Sequence, residues 1–242
     1  MTRFAALALS TAIGLAALPA TAQTFTEDEV KQLALQAILE NPEIVMEAVA
    51  ILQKREEEAA AAQAQTSLDA GRDLLERDPN APVLGNPDGD VTVVEFFDYN
   101  CPYCRRAGEQ VSAMLAQDDS VRVVYREWPI LGEGSTYAAK AALAARNQGK
   151  YAEFHDALMA ATGRIDAQVV LQTAADLGLD VAQLQADMEA PEVQAHIDTS
   201  FQLAQSLGFS GTPSFVVGDA LAPGLVEADQ LLSMIDDVRN GR

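Results

Sequence analysis

The chain has 242 residues and a formal charge of −20, from 36 acidic against 16 basic residues, and it holds two cysteines. That length suits one good-sized domain with an appendage. The acidic excess argues against nucleic acid and anionic membrane surfaces as partners, and no basic patch, Walker loop or dinucleotide fingerprint is present.

The N-terminus reads as a secretory signal peptide covering residues 1–22. Arg3 gives a short basic start, Phe4 to Leu18 is apolar but too short to span a bilayer, and Ala20-Thr21-Ala22 is a small-x-small cleavage site. The expectation is export to a bacterial periplasm, with the mature chain starting at Gln23. In that compartment a pair of cysteines can form a disulfide.

Residues 23–77 read as a helical extension. Thr26-Glu27-Asp28-Glu29 is a capping-box pattern, and Asn41-Pro42 interrupts the helix and starts a second one. Val30, Leu33 and Ala37, then Val45, Val49 and Leu52, recur at helical spacing. From Lys54 to Gln65 charge and alanine dominate, consistent with an exposed helix or a flexible spacer. A two-helix segment this small cannot bury its apolar face alone. It docks on its own domain or on further copies, and residues 23–75 are expected to make a homo-oligomer.

Asp78-Pro79-Asn80 opens the globular domain, residues 78–242. Val83-Leu84 reads as a short edge strand and Val91 to Phe97 as a buried central strand. Cys101 to Gln117 follows as a helix. Val121 to Trp128 returns as a strand in which Val121, Val123 and Tyr125 alternate against Arg122 and Arg126. A helical block covers about residues 135–207. Ser214 to Val217 is a strand, Gly218-Asp219 a turn, a short strand lies near Leu221, and Glu227 to Arg239 closes the chain as a helix. The order is βαβ, a helical block, then ββα, which makes the fold class α/β.

Both cysteines fall in Cys101-Pro102-Tyr103-Cys104, at the turn from the central strand into the helix. A thiolate, not a thiol, attacks a disulfide. The unpaired N–H groups and positive dipole end of a helix stabilise a thiolate placed there. Cys101 takes the outer position as nucleophile, and Cys104, one turn further in, resolves the mixed disulfide. Pro102 suits the first helical turn because the N–H it lacks has no helical partner there. A purely structural bridge is a poor alternative, since so short a loop constrains the unfolded chain little. Structural zinc wants four N/S ligands, and only His155 and His196 could add to the two sulfurs. No metal or other cofactor is therefore expected, although copper(I) capture by sulfur pairs from several copies stays open. His155 is expected to pack within the helical block and His196 to lie on a helix surface. Arg105 and Arg106 either favour the thiolate or are simply solvated.

The run Glu95-Phe96-Phe97-Asp98-Tyr99-Asn100-Cys101-Pro102-Tyr103-Cys104 resembles the strand and active-site signature of the DsbA family, a thioredoxin fold with a helical insertion. Gly211-Thr212-Pro213-Ser214-Phe215 resembles that family's cis-proline loop. Pro129-Ile130-Leu131-Gly132, with Ala138, Ala139 and Ala142, resembles the stretch after the second strand. The likeness covers roughly residues 83–240. CPYC, Thr before the proline and the N-terminal helices resemble the ScsC-like branch, whose members shuffle or reduce disulfides and whose extension can oligomerise them.

The resemblance implies a thiol–disulfide oxidoreductase acting on cysteine-containing exported proteins, as an isomerase or reductase supplied with electrons by a membrane redox partner. The alternative direction is a dithiol oxidase. It also implies a cis Pro213, with Thr212 offering backbone groups to an extended substrate beside Pro102 and Tyr103. For Glu95 it implies a buried acid that accepts the Cys104 proton. Alternation places Glu95 with Val93 and Phe97, which allows burial, whereas the plain alternative is a solvent-facing glutamate.

Overall fold

The computed structural model describes residues 24–242. The signal-peptide reading lies outside the described residues. The chain divides into two compact units, one ending at Arg55 and the other running from Glu56 to Arg242.

In the first unit, α1 (Glu27–Glu40) begins at Thr26, whose hydroxyl accepts from Glu29 N while the Glu29 carboxylate accepts from Thr26 N at 2.8 Å. These reciprocal bonds satisfy two otherwise unpaired donors. Asn41 ends the helix, and α2 (Glu43–Arg77) starts just past Pro42. The expected apolar spacing is present, but these side chains find no cover. No residue of α1 is buried, and Leu39, Val45, Met46 and Leu52 are all exposed.

The second unit takes in the later turns of α2, upstream of the Asp78 loop from which the sequence reading starts the domain. Leu68 and Leu75 are the reason. Both are fully buried and pack with the sheet and α8 (Pro191–Ser206). Burial of each contributes roughly 1.5–3 kcal/mol. The Lys54–Gln65 stretch is helical throughout.

Five strands make one sheet in the order β1-β3-β2-β4-β5. They are β1 (Val83–Gly85), β2 (Val91–Phe97), β3 (Val121–Glu127), β4 (Ser214–Val217) and β5 (Ala220–Pro223). The central pair β2 and β3 is parallel, joined through α3 (Pro102–Gln117), and the other pairings are antiparallel. Period-2 alternation divides the strand side chains between two faces. Val93, Phe97, Val123, Tyr125 and Phe215 pack with α3 and with α9 (Ala228–Arg239). On the other face Val94, Phe96, Val124 and Val216 meet α2 and α8. The inserted block begins with α4 (Glu133–Ala145), whose six buried alanines allow close helix approach. Three more helices, α5 (Tyr151–Ala160), α6 (Ala167–Asp176) and α7 (Val181–Asp187), lead into α8.

Two residues depart from the sequence expectation on the α2/α8 face. His196 is buried, not a surface residue, because it lies on the side of α8 turned to the sheet, where its Nε2 accepts from Glu127 N at 3.2 Å. Arg126, expected on the polar side of the alternation, is fully buried. Its guanidinium pairs with Asp78 at 2.8 Å and donates to the carbonyls of Leu74 and Leu75 at the end of α2. A helix end leaves carbonyls unpaired and carries negative partial charge, so a cation suits that position.

Candidate active site

The central strand ends at Phe97, and three residues turn the chain into α3. Asp98 organises that turn: its carboxylate accepts from Asn100 N at 2.8 Å and from Leu131 N at 2.9 Å. Its carbonyl accepts from Cys101 N at 3.0 Å. Asn100 then ties the turn to the loop before α6, donating to Ile165 O at 3.0 Å and accepting from Ile165 N at 2.8 Å. Cys101 occupies the N-cap position of α3 with Pro102 directly after it.

Both cysteines are free thiols, and their environments differ. Cys101 is 5 % exposed and Cys104 is fully buried. The Cys101 pKa falls to about 6, chiefly because the Cys104 thiol donates to its sulfur. Burial opposes that shift, while Thr212 and the N–H groups of Cys104 and Tyr103 assist it. The Cys104 pKa is pushed far up, first by burial, then by the hydrogen bond it gives Cys101 and by the charge of Glu95. At neutral pH the pair therefore holds one thiolate, on the outer sulfur.

The Thr212–Pro213 peptide is cis, as the resemblance implies, and the Cys101 Sγ lies 3.2 Å from Thr212 O. The chain thus brings two segments more than one hundred residues apart against the same sulfur. Tyr103 points outward and is 57 % exposed.

Glu95 is buried, and neither carboxylate oxygen has a hydrogen-bond partner among the described residues. Burial raises its pKa to about 8, helped by the nearby Cys101 charge. A buried carboxyl without partners is costly to ionise. Of the two readings open in the sequence, the geometry takes the buried one.

Sequence reasoning missed a second buried acid. Glu127, at the end of β3, accepts from Tyr99 Oη at 3.0 Å and from Tyr151 Oη at 2.9 Å. Tyr99 Oη also lies 3.1 Å from His155 Nδ1. Burial pushes Glu127 well above the ordinary carboxylate range and His155 down to about 3. His155 sits on α5, but its ring packs against Phe97 and Tyr125 of the sheet and Tyr99 of the active-site turn as well as Tyr151, so it lies where the helical block meets the sheet and not within the block. The missed signal was the same alternation, which places Glu127 with Val123 and Tyr125 on the inner face. Arg105 is not simply solvated: it donates to Gly163 O at 2.7 Å, whereas Arg106 lies 3.7 Å from Glu227 on the surface. Among the described residues no cluster of three or more metal-ligating side chains occurs.

A DSBA-like thioredoxin domain matches residues 92–236. A thioredoxin-like oxidoreductase from Silicibacter pomeroyi DSS-3 is 65 % identical with a TM-score of 0.69, over 70 % of this chain and 98 % of that one. ScsC of Proteus mirabilis, as a linker-deletion and point mutant, is 26 % identical with a TM-score of 0.70, over 93 % of this chain and all of that one. Curated relatives include a Na(+)/H(+) antiporter NhaA from Herminiimonas arsenicoxydans, 29 % identical over 160 residues. That match takes in 66 % of this chain, which spans about a quarter of the antiporter's length.

Proposed function

We propose that this chain, a member of the DSBA-like thioredoxin domain family, is a thiol–disulfide oxidoreductase that works in the periplasm as a disulfide isomerase or reductase of exported proteins. The asymmetric thiol pair carries this reading. Cys101 holds a thiolate near neutral pH while Cys104 stays protonated beside it.

In the first step the Cys101 thiolate attacks a substrate disulfide. A Cys101–substrate disulfide forms, the substrate bond breaks, and the other substrate sulfur leaves as a thiolate. Thr212 and the cis Pro213 present backbone groups to the extended substrate, with Pro102 and Tyr103 flanking it. In the second step Cys104 attacks Cys101, closing the Cys101–Cys104 disulfide and releasing reduced substrate. Cys104 must lose its proton to do so. Glu95 is held neutral by burial and by the Cys101 charge. The mixed disulfide removes that charge, so Glu95 becomes easier to ionise and better able to take the proton. In the isomerase cycle a different substrate thiolate instead attacks the substrate sulfur of the mixed disulfide, which forms a rearranged substrate disulfide and expels Cys101 as a thiolate. The reductase direction needs electrons from outside, which a membrane redox partner supplies.

The exposed apolar residues of the first unit support self-association. Leu68 and Leu75 already lie in the core of the second unit, so residues 24–55 are the segment that other copies would cover.

The test is a Cys104→Ser chain, which should accumulate mixed disulfides through Cys101 with disulfide-containing exported proteins, while Cys101→Ser/Cys104→Ser should not. Refolding of a scrambled against a reduced substrate then gives the direction. Faster recovery of the reduced substrate alone would replace the isomerase reading with an oxidase. Sedimentation of the full chain against a Leu39→Asp/Val45→Asp variant tests assembly, and equal masses would remove it.

A further inference from the structure

Beside the dithiol lies a notch of ≈ 450 Å³ lined by Asn100, Pro102, Arg105, Leu131, Gly163 and Arg164. Its only charged residues are the two arginines, in a chain with 36 acids against 16 bases. Arg72, Arg77, Arg106, Arg126, Arg239 and Arg242 all have carboxylate partners. Arg105 and Arg164, like Arg55 and Arg146, have none among the described residues, although Asp166 lies two positions from Arg164 in sequence.

The two guanidiniums are held differently. Arg105 is fixed: Nη2 donates to Gly163 O at 2.7 Å and reaches Tyr99 O at 3.5 Å, and its buried Nε has no partner. The Asn100–Ile165 bonds hold the loop that carries Gly163 and Arg164 against the active-site turn. Arg164 is exposed and makes no hydrogen bond among the described residues, and its Nη2 lies 3.8 Å from where a Cβ on Gly132 would stand. Guanidinium forks match carboxylates in geometry as well as charge. Leu131 adds a half-exposed apolar wall.

Pro102 is both the residue after Cys101 and a wall of this notch. A substrate bonded to Cys101 Sγ therefore carries its next residues past it, at about 3.3 Å per residue in extended form. We propose that Arg105 and Arg164 form a carboxylate-selecting subsite, which favours substrate segments carrying Asp or Glu one or two residues from the reacting cysteine. The proposal rests on the dithiol-exchange reading above and adds to it the charge of the substrate.

The probes are single-cysteine pentapeptides carried as thionitrobenzoate mixed disulfides, with Glu, Gln or Lys two residues from the cysteine. Attack by Cys101 forms the Cys101–peptide disulfide, breaks the peptide–thionitrobenzoate bond and releases coloured thionitrobenzoate. The readout is the Glu-to-Gln rate ratio for each reduced full-length protein, so each peptide's intrinsic reactivity cancels between proteins. The unsubstituted chain should exceed Arg164→Gln in this ratio by about three- to fivefold at low ionic strength, a gap that closes as salt is added. Arg164→Glu should turn the preference toward the Lys peptide. Arg77→Gln removes the same charge at the far end of the sheet and should keep the original ratio. Equal ratios for the unsubstituted chain and Arg164→Gln would overturn the subsite while leaving exchange intact. Failure of every peptide to release thionitrobenzoate would take the exchange reading and the subsite down together.

Discussion

The two faces of the sheet bury charge in opposite ways. On the α2/α8 face Arg126 meets Asp78 and the last carbonyls of α2, and its donors are matched. Toward α3 and the dithiol, Glu95 has no hydrogen-bond partner among the described residues, and one oxygen of Glu127 has none. A matched buried charge fixes a structure, and taking away one partner leaves the other stranded. An unmatched buried acid costs stability and stays close to its ionisation point, which is what proton transfer needs. The difference separates a charge pair that holds this molecule together from the acid, Glu95, that we propose takes part in exchange.

The largest expected effect is on the dithiol face. Cys101→Ser should abolish peptide disulfide exchange while leaving the urea midpoint of the reduced protein nearly unchanged. Loss of folding would mean that this face is structural after all. On the opposite face Asp78→Ala strands the Arg126 guanidinium and should cost about 3–5 kcal/mol in urea unfolding. Its exchange rate, measured where the variant is still folded, should match the parent. A slowed exchange would show that the faces are coupled.

Glu95→Gln is expected to move both quantities, in opposite directions. The folded chain holds the Glu95 proton up to about pH 8 against an ordinary value of 4.5. The raised pKa means that the stability tied to this proton is complete below pH 4.5 and is lost as pH rises through 8. The variant should therefore be more stable than its parent above pH 8 by on the order of a few kcal/mol, with no difference below pH 4.5. Release of substrate from the mixed disulfide should slow, by about 10²-fold if Glu95 is the sole proton acceptor. A variant that is less stable at alkaline pH would refute the account of an unpartnered acid.

The smallest effect concerns Thr212. The Cys101 thiolate should titrate near pH 6, read by its ultraviolet absorbance. Thr212→Ala should move that midpoint upward by a fraction of a unit, because Thr212 is one of several groups favouring the thiolate. An unmoved midpoint would leave Thr212 with substrate contact alone.

Much of this was legible in the sequence because it rests on local chemistry. A strand running into a helix at a CxxC, with proline in the first turn, places Cys101 at a helix N-cap. Period-2 alternation put Glu95 with Val93 and Phe97, which allowed burial without deciding it. The cis Thr212–Pro213 peptide came only through resemblance, since composition alone favours trans. Contacts between distant segments were not legible. Nothing near Arg126 in sequence points to carbonyls some fifty residues upstream, and a single histidine on α8 carries no mark of its burial. Nothing in the sequence around Asn100 marks that its side chain joins the dithiol turn to a loop 65 residues away.

The cap that Arg126 places on α2 sets where this protein can be divided. The sequence suggests a cut at the Asp78 loop, where helix gives way to sheet. A chain starting there would keep the guanidinium and Asp78 but lose the Leu74 and Leu75 carbonyls and the two leucines that cover the sheet. The DSBA-like domain and its helical forerunner are thus not separable modules at that point. A recombination event that swaps one N-terminal extension for another must leave at least the last three turns of α2, from Leu68 on, with the domain. The exchangeable part of this architecture ends inside a helix, not at the loop that follows it.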